Sequence, residues 1–123
     1  MYEITIKKSF SSAHTLRDIG GKYEDIHGHN FTVEVSVASK DLNREGMLVD
    51  FRALKGWTEE VLRELDHKFL NDLPCFKNKS PSSENIARFI YDRICEKVKL
   101  PGIAVSRITV GETENTKISY NGE

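Results

Sequence analysis

The stretch HGHNFTVEVSV, residues 27–37, alternates between apolar and polar side chains over most of its length. Successive side chains of a β-strand point to opposite faces, so the apolar residues from Phe31 to Val37 share one face. His27 and His29 have the same parity and extend that face towards the start of the strand. The stretch therefore predicts a half-buried strand whose core face begins with two imidazoles.

A second alternating segment stands at the start of the chain, where Tyr2, Ile4, Ile6 and Phe10 share their parity with His14. If the two strands are antiparallel neighbours, His14 lies at the same end of the sheet as the two histidines of the HGH motif. A bulge within SFSSAH, residues 9–14, would break this alternation.

The middle of the chain predicts two helices. Asp50 is a candidate N-cap for the first, and Pro81 stands near the start of the second, which Pro101-Gly102 ends. Two sets of apolar residues recur at helical spacing, namely Leu54, Trp57, Val61, Leu62 and Leu65, then Ile86, Phe89, Ile90, Ile94 and Val98.

A C-terminal hairpin completes the pattern, because Ile108 and Val110 alternate with polar residues and Ile118 and Tyr120 follow across the ETENT loop. The order ββααββ predicts an α+β fold, a four-stranded antiparallel sheet with two helices on one face. We expect residues 1–123 to form a single domain. The exposed edges of so small a sheet favour oligomerisation by edge pairing.

Composition excludes some classes of partner. The chain has 123 residues, 30% of them charged, and a formal net charge of -1, which offers no electrostatic attraction to nucleic acid or to an anionic membrane. The apolar runs are too short to cross a bilayer. With two cysteines, Cys75 and Cys95, and no signal-peptide pattern, we expect a cytoplasmic protein with reduced thiols.

The histidines suggest metal chemistry. Three neutral imidazoles with an open fourth position make a catalytic zinc site, and abundance and tetrahedral fit favour zinc over copper or nickel. The alternative is that the HGH pair is a chance surface feature.

Two further positions are candidate functional residues. Asp66 and His67 are adjacent, so the carboxylate could fix the imidazole tautomer in a proton relay, or Asp66 could simply cap or solvate the end of the helix. Glu112 shares the parity of Val110, and a carboxylate on the core face needs donors such as the amino group and ring N–H of a guanine or pterin. The alternative for Glu112 is an acid pointing into solvent.

Six segments, spread in order over nearly the whole chain, together resemble one family. FSSAHTL, HGHNFTVEV, GMLVDFRALK, LDHKFLND, PSSENIA and VGETENT are similar to motifs of the 6-pyruvoyl-tetrahydropterin synthase and 6-carboxy-tetrahydropterin synthase family. The resemblance implies the T-fold (tunnelling fold), assembled as trimers that stack into a hexamer with active sites between subunits.

The same resemblance implies roles for individual residues. Zinc would be bound by His14, His27 and His29, and Asp66 and His67 would belong to a catalytic relay. Glu112 would anchor the pterin. The PSSEN segment would line the pterin pocket with Ser82, Ser83 and Glu84, which could also cap the second helix.

One departure from the family pattern concerns the catalytic base. Ordinary members carry a catalytic cysteine four residues before the first histidine of HGH, and here that position is Tyr23. The arrangement E-x-x-H-G-H, with Glu24, resembles the type III branch, in which glutamate replaces cysteine. Asp25 is a competing acid.

Members of that branch resemble enzymes that cleave the side chain of 7,8-dihydroneopterin triphosphate to 6-hydroxymethyl-7,8-dihydropterin for folate synthesis. The alternatives are a 6-pyruvoyl-tetrahydropterin synthase, a 6-carboxy-tetrahydropterin synthase of the queuosine pathway, or an inactive protein that binds pterin and zinc. Arg17 and Lys22 are candidates for phosphate contacts.

Overall fold

The computed structural model describes residues 1–16 and 25–123, which form one four-stranded sheet and two α-helices. The strands are antiparallel throughout and lie in the order β1-β2-β3-β4. The elements are β1 (Tyr2–His14), β2 (His27–Ser39), α1 (Phe51–Leu62), α2 (Ser83–Lys97), β3 (Ala104–Thr113) and β4 (Thr116–Tyr120), with short 3-10 turns at Leu70–Asp72 and Pro74–Phe76. The predicted ββααββ order and fold class are confirmed.

The β1–β2 pairing determines where the histidines lie. The two strands are in continuous register from Tyr2 opposite Ser39 to His14 opposite His27, so no bulge interrupts residues 9–14. Between β2 and β3 the register shifts once, at Ser36 and Val37, far from the histidine end. Alternation therefore holds along the whole of β1, and His14 keeps the parity of Phe10.

The core lies between the helices and one face of the sheet. Phe31, Val33, Val35 and Val37 are completely buried on that face, together with Leu54 of α1. Burial of each such side chain contributes roughly 1.5–3 kcal/mol to folding. The opposite face is polar, and hydroxyl pairs such as Thr5–Ser36 (2.7 Å) and Thr109–Ser119 (2.7 Å) connect its strands.

Both helices begin at a side-chain cap. The Asp50 carboxylate accepts a hydrogen bond from the Arg52 backbone N–H at 2.8 Å, as expected for α1. Ser82 Oγ accepts from the Asn85 N–H at 3.1 Å and caps α2, with Pro81 directly before it. No helix in the described parts of the chain combines the length and apolar character needed to cross a membrane.

The chain that follows α1 runs along the outer edge of β1. The His67 N–H donates to the Ser11 carbonyl at 2.6 Å, and the Ala13 N–H donates to the Lys68 carbonyl at 3.0 Å. Ser12 Oγ also donates to the Leu65 carbonyl. These bonds fix the Asp66-His67 dipeptide beside the histidine end of the sheet.

Candidate metal centre and pterin site

Three imidazoles meet at one end of the core face. His14 lies opposite His27 in the β1–β2 register, and His29 follows two residues later on the same face. The ring centroid of His27 lies 4.6 Å from the ring centroid of His14 and 4.6 Å from that of His29. His14 is completely buried and the other two are partly buried. The strand parity predicted this convergence.

Glu112 joins the cluster from β3. Its Oε1 atom lies 2.8 Å from His29 Nε2, 3.1 Å from His14 Nε2 and 3.6 Å from His27 Nε2. All four ligand atoms lie within 4.8 Å of one another. The sequence predicted that Glu112 lies on the core face, but its contact with the histidines was not predicted. The parity that Glu112 shares with Val110 is the signal that could have indicated this contact.

Main-chain carbonyls orient two of the imidazoles. His14 Nδ1 lies 2.7 Å from the Pro81 carbonyl oxygen, and His27 Nδ1 lies 3.0 Å from that of Asp25. A carbonyl oxygen only accepts hydrogen bonds, so each Nδ1 carries a hydrogen and the neutral ring has its lone pair on Nε2. Such outer hydrogen bonds fix the tautomer and orientation of metal-binding histidines.

The donor set fits a divalent metal ion. Tetrahedral zinc with bonds of about 2.0–2.1 Å separates neighbouring ligand atoms by about 3.3 Å. The three distances from Glu112 Oε1 to the Nε2 atoms, 2.8 to 3.6 Å, span that value. Imidazole and carboxylate ligands suit zinc and several other first-row ions. The residues therefore form a group that is able to hold a divalent metal ion.

Asp66 and His67 form a paired acid and imidazole at the edge of β1. Asp66 Oδ1 accepts from the Ser11 N–H at 2.9 Å, and Oδ2 lies 2.9 Å from His67 Nδ1. The Ser11 hydrogen bond and, less strongly, the His67 contact lower the pKa of Asp66 below its ordinary value of 3.8, against the opposing effect of desolvation. An ionised Asp66 holds the Nδ1–H tautomer of His67 and leaves Nε2 for proton transfer.

His67 has an unusual backbone. Its φ of 56° lies in the left-handed region, which costs a non-glycine residue roughly 1–3 kcal/mol. The His67 N–H bond to Ser11 helps to hold it there. His67 and His29 line the same cavity of about 450 Å³, so this cavity borders both the acid–imidazole pair, through His67, and one histidine of the cluster.

The PSSEN segment reaches the cluster from the start of α2. Ser82 is the N-cap, as the capping alternative predicted, while Ser83 and Glu84 form the first turn. These two residues line a cavity of about 170 Å³ together with Glu112 and Lys117. The Pro81 carbonyl, which contacts His14, had no side-chain signal in the sequence.

Several residues that the sequence suggested for the site lie outside the parts of the chain that the structure describes, or have another contact there. Arg17, Lys22, Tyr23 and Glu24 lie in residues 17–24, beyond the described parts of the chain. Asp25 is exposed and contributes its carbonyl oxygen to His27.

Neither cysteine belongs to the metal cluster. Cys75 lies in the second 3-10 turn and Cys95 lies in α2. Burial raises the pKa of both thiols, which disfavours the thiolate form at neutral pH.

Comparison with known proteins relates the fold and the cluster to one family. The family model described as 6-pyruvoyl tetrahydropterin synthase matches residues 3–123. The 6-carboxy-5,6,7,8-tetrahydropterin synthase of Synechocystis sp. is 37% identical, over 84% of this chain and 81% of its own. The dihydroneopterin monophosphate aldolase of Pyrococcus furiosus is 34% identical, over 89% of this chain and 88% of its own.

The fold agrees with that relationship. The structure of Caenorhabditis elegans 6-pyruvoyl tetrahydropterin synthase superposes with a TM-score of 0.82 at 26% identity, and it covers 100% of this chain and 98% of its own. The names of these three proteins describe three different reactions, so similarity alone does not select one. The chain belongs to the 6-pyruvoyl tetrahydropterin synthase family of pterin-metabolising enzymes, and its sheet and helices have the T-fold of that family.

Proposed function

We propose that the protein cleaves the side chain of 7,8-dihydroneopterin triphosphate in a zinc-dependent, retro-aldol type of reaction that forms 6-hydroxymethyl-7,8-dihydropterin for folate synthesis. The observation that carries this proposal is a histidine and glutamate cluster without a thiol, in a chain with Tyr23 at the usual cysteine position and Glu24 beside it. The aldolase name of the Pyrococcus furiosus relative supports carbon–carbon cleavage of a phosphorylated dihydroneopterin.

The metal-binding residues in this proposal are His14, His27 and His29, which would hold zinc through Nε2. When bound, zinc supplies Lewis acidity that lowers the pKa of a substrate hydroxyl. The Nδ1 contacts to the Pro81 and Asp25 carbonyls keep two of the rings in the tautomer that binds metal.

Glu24 is the proposed general base. It takes the proton of the C2′ hydroxyl, the C1′–C2′ bond breaks, and C2′ becomes the aldehyde carbon of a phosphorylated two-carbon fragment. The electron pair of that bond passes into the pterin ring as an enamine. Protonation at C1′ by the Asp66–His67 pair then leaves the hydroxymethyl group, so atoms and electrons balance without an oxidant.

Substrate orientation is assigned to the start of α2 and the end of β3. The Glu112 carboxylate is suited to accept hydrogen bonds from the amino group and ring N–H of the pterin, and Ser82, Ser83 and Glu84 flank the ring. Ser83, Glu84 and Glu112 line one cavity, which supports this assignment. A ring held at that place loses little further entropy in the reaction step.

We also propose a cytoplasmic homo-oligomer, a trimer that stacks into a hexamer, with active sites between subunits and residues 1–123 as one domain. β1 and β4 are the edge strands of the sheet, and outside the part of β1 that residues 66–69 already pair they offer backbone groups for pairing with another copy. Both cysteines are free thiols, as in a reducing compartment.

Product identification tests this function. Zinc-loaded protein is supplied with 7,8-dihydroneopterin triphosphate and, in parallel, with the monophosphate, and the released pterin is identified by mass and chromatography. We expect 6-hydroxymethyl-7,8-dihydropterin. Loss of a general base should lower kcat/KM of Glu24→Ala by about 10²–10⁴-fold. The neighbouring Asp25→Ala variant, which keeps the carbonyl contact to His27, is the matched control.

Other products would lead to other conclusions. A pyruvoyl or carboxy pterin would assign one of the ordinary family reactions despite the missing cysteine. Pterin that binds without turnover would make the protein an inactive pterin-binding member. If Asp25→Ala rather than Glu24→Ala loses activity, the base has been assigned to the wrong acid.

A further inference from the structure

A cavity of about 570 Å³ is lined by the residue that follows β1 and by the loop that precedes α2, residues 76–80. Thr15 belongs to one wall, and Phe76 and Ser80 belong to the other. We call this space the loop cavity. It is larger than the cavity of about 170 Å³ assigned above to the pterin, and the proposed reaction places no substrate group in it.

The loop cavity is positively charged. Lys77 and Lys79 line it, both side chains are exposed, and neither forms an ion pair with any residue that the structure describes. By contrast, Lys8 and Lys97 each lie 2.7 Å from a carboxylate oxygen. The described residues that line the cavity include no acid. Two uncompensated charges in a chain of formal net charge -1 favour an anionic ligand.

Hydrogen-bond donors accompany the two charges. The Asn71 side chain accepts from the Thr15 N–H at 3.0 Å and donates to the Thr15 carbonyl at 2.9 Å. A carboxamide has two N–H donors, so one remains after this contact. The side chains of Asn78 and Ser80 belong to the same lining. Ammonium groups together with N–H and O–H donors form a set that binds phosphate oxygens.

The loop cavity adjoins His14. Thr15 is the next residue in the chain, and Ser80 precedes Pro81, whose carbonyl oxygen lies 2.7 Å from His14 Nδ1. The other ring nitrogen, His14 Nε2, lies 3.1 Å from Glu112, which lines the cavity assigned to the pterin. His14 therefore stands between two cavities, one suited to the pterin ring and one suited to an anion.

We propose that the loop cavity binds the polyphosphate tail of the substrate through Lys77 and Lys79, and so selects the triphosphate over the monophosphate. The tail begins at C3′, the carbon next to C2′, so a substrate with its ring at Glu112 and C2′ at the histidines extends its tail beyond His14. A triphosphate carries more negative charge than a monophosphate and gains more from two ammonium groups. This proposal rests on the proposed function for the identity of the substrate.

Calorimetric titration of metal-free protein with inorganic tripolyphosphate tests the site without any turnover. We expect Lys77→Ala and Lys79→Ala each to raise Kd about fivefold, and the Lys77→Ala/Lys79→Ala variant to raise it at least about tenfold. The Lys77→Arg/Lys79→Arg variant keeps both charges and should stay within about threefold of wild type. Lys99→Ala, the control, removes an exposed lysine that α2 separates from the loop by about 22 Å of helix, and should leave Kd unchanged.

Two results of this titration would overturn the site. Equal Kd values for wild type and the Lys77→Ala/Lys79→Ala variant would show that the two lysines do not bind the anion. An equal loss of affinity in Lys99→Ala would assign binding to the general charge of the surface rather than to the cavity. Because no reaction takes place, this result is independent of whether the proposed reaction occurs.

Steady-state kinetics of the zinc-loaded protein then identify the source of the anion. The ratio of kcat/KM for 7,8-dihydroneopterin triphosphate to that for its monophosphate should fall at least about tenfold in the Lys77→Ala/Lys79→Ala variant, through a higher KM for the triphosphate. An unchanged ratio, with tripolyphosphate binding lost, would mean that the cavity binds a separate polyphosphate. It would overturn the assignment to the substrate's tail.

Discussion

Two regions of the β1–β2 pair have the same backbone geometry and opposite chemistry. In the middle of the pair Ile6 and Val35 lie opposite each other and are buried under the helices, and at one end His14 lies opposite His27. The apolar middle needs no partners beyond packing. The histidine end depends on carbonyl groups from outside the sheet, those of Pro81 and Asp25. A regular strand pair thus places site residues as firmly as core residues, and only the residue types separate the two roles.

The largest expected effect is a difference between a core residue and a histidine of the β1–β2 pair, one needed for stability and the other for metal binding. Phe31 is completely buried in the core, stacks on Phe10 at 4.9 Å and also contacts the rings of His14 and His29. Phe31→Ala should lower the free energy of unfolding by about 3–5 kcal/mol. Partly exposed His27 should tolerate His27→Ala within about 1 kcal/mol in metal-free protein, while Co²⁺ affinity falls by at least about 100-fold. Urea unfolding and metal titration measure the two quantities.

Equal destabilisation by His27→Ala and Phe31→Ala would contradict this comparison, because it would make the histidine end part of the core. Retention of wild-type Co²⁺ affinity by His27→Ala would remove His27 from the metal site.

A smaller effect distinguishes the two helix caps. Ser82→Ala and Asp50→Ala each remove one N-cap bond and should each lower stability by about 1 kcal/mol. Only Ser82→Ala also loosens the chain at Pro81, whose carbonyl orients His14. We expect it to weaken Co²⁺ binding several-fold, and Asp50→Ala to leave the affinity unchanged. The same affinity for both variants would mean that the α2 cap does not position the metal ligand.

The smallest effect is the pH dependence of Asp66. Because the folded-state pKa is lowered, the ionised carboxylate contributes stability above the unfolded-state value near 3.8 and loses it as the pH falls through the folded-state pKa. Asp66→Asn keeps an acceptor for Ser11, so it should cost less than about 1 kcal/mol at neutral pH, as expected for exposed charge pairs. Urea unfolding at a series of pH values from 7 downwards should show the difference begin to shrink as the pH falls below about 3.8. A constant difference would assign it to packing.

Sequence patterns predicted the strands, the helices and the meeting of three histidines, because strand parity determines which face a side chain occupies. The contacts made by backbone atoms were not predictable. Neither the position of the Pro81 carbonyl nor the course of residues 66–69 along β1 produces a periodic pattern in the sequence. The direction of the Glu112 carboxylate depends on neighbours from two other strands, β1 and β2, which only the folded chain brings together with β3.

The most direct test of the central claim follows the phosphorus atoms of the substrate by ³¹P NMR during turnover of 7,8-dihydroneopterin triphosphate. Cleavage of the C1′–C2′ bond keeps the triphosphate esterified to a two-carbon aldehyde, so no inorganic triphosphate should form while the pterin is consumed. The pyruvoyl and carboxy reactions proceed by triphosphate elimination. Release of inorganic triphosphate in step with pterin consumption would contradict the retro-aldol assignment.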